Sequence, residues 1–119
     1  RGVAAVIGRQ DRFRDGLRAL MMASPQICAV YQADAQLAMS VLETYDPELV
    51  VLDADSLGEG AWTLLRRIKA GIVSCRVVTI VAYNSRQHQL AREAGADAIL
   101  IKGFAADRLF RVIEQLHST

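Results

Sequence analysis

The sequence is short of most things that would commit it to a specialised class. It holds two cysteines, Cys28 and Cys75, each within or beside an apolar run. They read as small hydrophobes rather than a disulfide frame, as expected of a reduced, cytoplasmic domain. Its two histidines, His88 and His117, stand far apart and outside any cluster with ligand spacing, which argues against structural zinc. No apolar run approaches the roughly 18 residues of a membrane span, and the opening RGVAAVIG lacks the apolar core of a signal peptide. Neither sign of charge dominates: 14 basic and 13 acidic residues give a net +1, too little for a general nucleic-acid binder. Repeats, low-complexity tracts and linkers are missing. What remains is an ordinary domain of 119 residues, with no membrane and no direct nucleic-acid role expected and length enough for one core.

What is present is an alternation of period. Apolar runs fall at VAAVI (3–7), QICAVY (26–31), ELVVLD (48–53), RVVTIV (76–81) and AILI (98–101). Each is followed by apolar residues at helical spacing, from Phe13, Leu17, Leu20 and Met21 to Leu109, Val112, Ile113 and Leu116. Five strand-like runs alternating with five helices predict an α/β fold, with a parallel sheet covered on both faces. Pro25 and Pro47 precede the second and third strands, Asn84-Ser85 can cap the fourth helix, and Gly95 can close it.

Right-handed crossovers put the loops that follow strands on one edge, where sheets of this kind bind ligands. That edge collects Gly8-Arg9-Gln10-Asp11 after the first run, Asp53 at the end of the third, Val81-Ala82 at the end of the fourth and Lys102 after the fifth. An acid ending an apolar strand needs a partner or a purpose. Catalytic triads find no support, because no serine has a suitably placed histidine and acid. No catalytic residue is assigned, and the domain is not expected to be an enzyme. GRQDRF makes a poor phosphate loop for a flavodoxin-type cofactor binder.

FRDGLRALM (13–21), DPELVVLDAD (46–55) and EAGADAILIK (93–102) carry a family likeness. Nearly the whole chain, 1–119, resembles the receiver domain of two-component response regulators, especially receivers attached to LuxR-type DNA-binding domains. The resemblance implies a flavodoxin-like three-layer fold with strand order 2-1-3-4-5. It sets Asp53 at the phospho-acceptor position and Lys102 at the family's lysine. It also implies a place at the N-terminal part of a longer regulator, with a histidine kinase and a C-terminal DNA-binding effector as candidate partners. The last helix, with Arg108 and Arg111 beside Leu109 and Val112, is a candidate surface for a homodimer, with a solvated face as the other reading.

The chain departs from that family at the chemistry. Receivers carry two adjacent acids after the first strand, where Gly8 and Arg9 stand here. Glycine offers no ligand, and arginine repels a metal. Asp11 reads as a helix N-cap and Asp55 as a solvated loop acid, and these two are the only other candidate ligands. Val81 replaces the switch hydroxyl and Ile99 the switch aromatic, while the family's Lys-Pro step reads Lys102-Gly103. The expectation is therefore an atypical receiver with no cofactor, acting through protein–protein contact. Arg9 is expected against Asp53 in place of the metal, with a solvent-facing Arg9 as the other reading. The alternative is a phosphorylatable receiver that takes a phosphoryl group from a histidine kinase on Asp53 with weakly bound Mg2+.

Overall fold

The five apolar runs become five parallel strands, β1 (Gly2–Ile7), β2 (Ile27–Ala33), β3 (Leu49–Asp53), β4 (Arg76–Val81) and β5 (Ala98–Ile101), in the order β2-β1-β3-β4-β5. The computed structural model describes residues 2–72, 74–83 and 85–118. β3 is buried along its whole length because it lies mid-sheet between β1 and β4, which explains its continuous apolar run. The expected cap at Asn84-Ser85 rests on Asn84, which lies outside the described residues.

Helices α1 (Arg12–Met22), α2 (Ala38–Tyr45), α3 (Ala54–Leu57), α4 (Gly60–Gly71), α5 (Ser85–Glu93) and α6 (Ala106–Ser118) complete the fold. Period alone predicts five. The sixth, α3, is a single turn that follows β3 directly, with Asp53 as its N-cap. The strands alternate their side chains between two cores. Ala4, Val6, Val51, Val78 and Ile80 pack with Leu17 and Met21 of α1 and Leu109 and Ile113 of α6. Ala5, Ile7, Val50, Leu52 and Val77 face the other way, against Ala38 and Leu42 of α2 and Leu64, Leu65 and Ile68 of α4. The result is a three-layer α/β/α sandwich with the flavodoxin-like receiver topology.

The Gly-Ala-Asp step at 95–97 has a local purpose. Gly95 turns the chain at φ 101°, a region that favours glycine. Asp97 then accepts from Lys69 Nζ at 2.7 Å and from the Val77 peptide N–H at 2.7 Å, with Arg76 Nη1 3.8 Å away. Lys69 Nζ also donates to the Cys75 carbonyl at 2.9 Å. This clamp ties the amino ends of β4 and β5 to α4 and leaves the opposite edge to the site.

Candidate functional site

After β1 the chain crosses to β2, and after β3 it crosses to β4. The strand order therefore reverses between β1 and β3, and a crevice opens at their carboxyl ends. Ile7 pairs with Leu52, so the next residues, Gly8 and Asp53, stand side by side at its floor. Asp53 is 0% exposed. One carboxylate oxygen, Oδ1, accepts from the Ser56 peptide N–H at 3.4 Å, and the other, Oδ2, accepts from Lys102 Nζ at 3.4 Å. Both bonds are long for charge-assisted contacts, which are usually near 2.8 Å. Burial pushes the Asp53 carboxyl above its ordinary value, and the Lys102 charge and the Ser56 bonds offset only part of that effect.

Lys102 is held from several sides. Its peptide N–H donates to the Val81 carbonyl at 2.8 Å, which fixes the chain where β5 ends. Its ammonium reaches Asp55 Oδ2 at 3.2 Å as well as Asp53, and lies 4.4 Å above the centre of the Phe13 ring, within cation–π range. Burial favours the neutral amine, but the bond to Asp55 and the charges of Asp53 and Asp55 together outweigh it and raise the Lys102 pKa. Asp55 is therefore an ion-pair partner in the pocket rather than a solvated loop acid. The residue after Lys102, Gly103, adopts φ 99°. A proline there could not, since its ring holds φ near about −65°.

Position 8 has little room for a side chain. A Cβ added to Gly8 would lie 3.0 Å from Asp53 Cβ and 3.3 Å from Ser56 Oγ. Ser56 fills this space by donating its hydroxyl to the Asp53 carbonyl at 3.0 Å and accepting from the Arg9 peptide N–H at 3.0 Å. Asp11 is the N-cap of α1, its carboxylate accepting from the Arg14 N–H at 2.8 Å, and so it is turned to the helix. Val81 is buried among Ala54, Trp62 and Ala91, with Ile99 packed against the same cluster. The two positions expected of a switch are thus filled by apolar packing, and beside them the Ala82 N–H donates to Gln87 Oε1 at 2.8 Å. Among the described residues, no group of three or more His, Cys, Asp or Glu side chains is placed to hold a metal ion.

The expected Arg9–Asp53 ion pair is not formed. Arg9 is exposed, and its link to the site is its peptide N–H. The arginine that enters the interior is Arg14, 9% exposed, donating from Nη1 to the Gly8 carbonyl at 3.0 Å and from Nε to Gln32 at 3.0 Å. Arg14, Leu17 and Met21 form the buried stripe of α1. An arginine three and seven residues before apolar stripe positions was the signal for it. Ser56 and Phe13 were likewise missed.

Comparison with known proteins finds similarity to response regulators. No family model matches the chain. Over 112 residues it is 26% identical to the nitrate/nitrite response regulator protein NarL of Escherichia coli strain K12, covering 92% of this chain and 52% of that protein. The chain thus spans about half the length of the curated relatives it matches. Among solved structures, a LuxR-family two-component response regulator from an Aurantimonas species superposes with TM-score 0.85 at 25% identity, over 98% of this chain and 86% of that one. NtrX from Brucella abortus gives 0.85 at 28% identity, over 98% of this chain and 27% of that one. A response regulator from Chloroflexus aurantiacus gives 0.88 at 16% identity, over 99% and 98% of the two chains, a likeness of fold. The chain is thus similar over nearly its whole length to the receiver domains of two-component response regulators, and among these it resembles the receivers of LuxR-type regulators.

Proposed function

We propose that this chain is a receiver-like signalling module that works through protein–protein contact, with little or no metal-dependent phosphorylation. The observation that carries the reading is Lys102 Nζ bridging Asp53 and Asp55 at 3.4 and 3.2 Å. Phosphoryl transfer to a carboxylate brings like charges together, and receivers offset that repulsion with a divalent ion. Magnesium asks for about six oxygens at about 2.1 Å. Here the two carboxylates that could serve share an ammonium, position 8 has no side chain and little space for one, and Asp11 caps its helix. The residues present do not fit magnesium.

The apolar packing of Val81 and Ile99 supports the same reading, since neither can report a phosphoryl group by a hydroxyl bond or a ring flip. In this reading the domain is not an enzyme, and its partner is another protein or an effector domain of a longer regulator. No helix among the described residues is long and apolar enough to cross a membrane. The second reading, a phospho-acceptor Asp53 served by a histidine kinase, draws on that carboxylate being buried against its desolvation cost, a mark of functional sites. Treatment with acetyl phosphate and magnesium, followed by mass spectrometry, separates the two. Unmodified Asp53 is expected, and stoichiometric labelling of Asp53 would establish the second reading instead.

A further inference from the structure

We propose that Lys102 is the pocket's own cation, drawn between Asp53 and Asp55 by Asp55, and that it excludes divalent metal from that place. This deepens the reading above and rests on it. Four contacts fix the residue: the hydrogen bond from its peptide N–H to the Val81 carbonyl at 2.8 Å, the two carboxylates and the Phe13 face. One unit of positive charge already lies within hydrogen-bond distance of both acids, so an arriving divalent ion meets repulsion before it meets ligands. Asp55 makes the shorter of the two ion pairs and is about one-third exposed, whereas Asp53 is closed off from solvent. The exposed acid thus draws the ammonium toward the mouth. Asp55 is a positioning residue acting through Lys102.

Removal of the ammonium should then open the place it fills. Without it, two carboxylates on one helical turn face a common point, one of them buried and uncompensated. The test titrates Mn2+ into the whole chain at pH 7.5, reading paramagnetic broadening of the amide signals of residues 53–56 alongside melting temperature. The wild type should show no selective broadening there. Lys102→Met should gain at least about tenfold in Mn2+ affinity. At ten times the new dissociation constant, its melting temperature should rise by about 5 °C. The double variant Asp55→Asn with Lys102→Met should lose the gain. Should Lys102→Met fail to fold, Lys102→Gln replaces it, and the wild-type titration stands on its own. Selective broadening in the wild type, a silent Lys102 variant, or a gain that survives Asp55→Asn would each overturn the proposal. Labelling of wild-type Asp53 by acetyl phosphate without any metal would instead sink the signalling reading and leave the Lys102 assignment standing.

Discussion

Among the described residues, lysine meets aspartate at both edges of the sheet, and the Asp97–Lys69 and Asp53–Lys102 pairs are built to opposite standards. At the amino edge, Asp97 and Lys69 meet at 2.7 Å, and the same carboxylate takes a peptide N–H at 2.7 Å while the lysine gives to a carbonyl at 2.9 Å. At the carboxyl edge, Asp53 and Lys102 stand 3.4 Å apart, the hydrogen bond that Asp53 accepts from the Ser56 peptide N–H is also 3.4 Å, and the acid is more buried. A short, saturated pair stabilises what it touches. A long, buried and partly compensated pair is held in spite of its cost, and the surrounding structure supplies the difference. The same two residue types thus serve as a staple in one place and as a pocket in the other.

The staple should show the largest effect. Asp97→Ala leaves the Val77 N–H without its acceptor and the Lys69 ammonium without its carboxylate at the start of β4, and should lower stability by about 3 kcal/mol. Urea unfolding would measure it. A loss under 1 kcal/mol would mean that the short distances at this edge carry little energy, and the contrast between the edges would dissolve.

Next comes Lys102→Met. It strips the buried Asp53 of its cation, but Lys102 keeps about 30% of its side chain in solvent. The loss should therefore be smaller, about 2 kcal/mol at pH 7. It should narrow as pH falls, since protonation of Asp53 relieves the uncompensated charge. A loss that is constant between pH 4 and pH 7 would show that the lysine acts by packing on Phe13 rather than by charge.

Much of this contrast was legible beforehand. Runs of β-branched residues alternating with helical stripes specify a parallel sheet, because strands buried on both faces and helices buried on one leave different periods in sequence. Asp53 and Lys102 could be placed at one edge by topology alone. Three things could not be read. Asp55 joins Lys102 only because a one-turn helix starts at Asp53, and four residues are too few to leave a period. Asp97 carries the amino edge through contacts to 69 and 77 that no local pattern announces. The choice between Arg9 and Arg14 depends on which side chain points inward, and the stripe 14-17-21 that decides it looks like an error in an amphipathic helix until the Gly8 carbonyl is seen to need a donor.

A smaller effect, of opposite sign, is expected of Asp53→Asn. The amide keeps an oxygen for the Ser56 N–H and removes a buried charge, so the variant should be more stable than the wild type by about 1 kcal/mol at pH 7. The sign follows from the raised Asp53 pKa: the folded carboxyl holds its proton more tightly than the unfolded one, whose value is 3.8. Stability from this group therefore falls as pH rises from that value through the folded one. The advantage of the asparagine should accordingly grow as pH rises and vanish as pH drops toward 4. Thermal melts across that range would show it. A destabilised variant at pH 7 would mean that the Asp53–Lys102 pair is a staple after all.

The smallest effect belongs to Arg9. A guanidinium balancing Asp53 would make Arg9→Ala costly, whereas the exposed side chain seen here makes it nearly silent. The bond that joins this residue to the site runs from its peptide N–H to Ser56 Oγ, and alanine keeps it. The melting temperature should move by less than about 2 °C, as for other surface substitutions away from caps and ion pairs. Arg14→Ala provides the contrast within the same loop and helix, because it leaves the Gly8 carbonyl and Gln32 without their donor in the interior and should lower the melting temperature several times more. If Arg9→Ala proved the more damaging of the two, the positive charge that steadies Asp53 would come from the β1–α1 loop, and Lys102 would no longer be the pocket's principal cation.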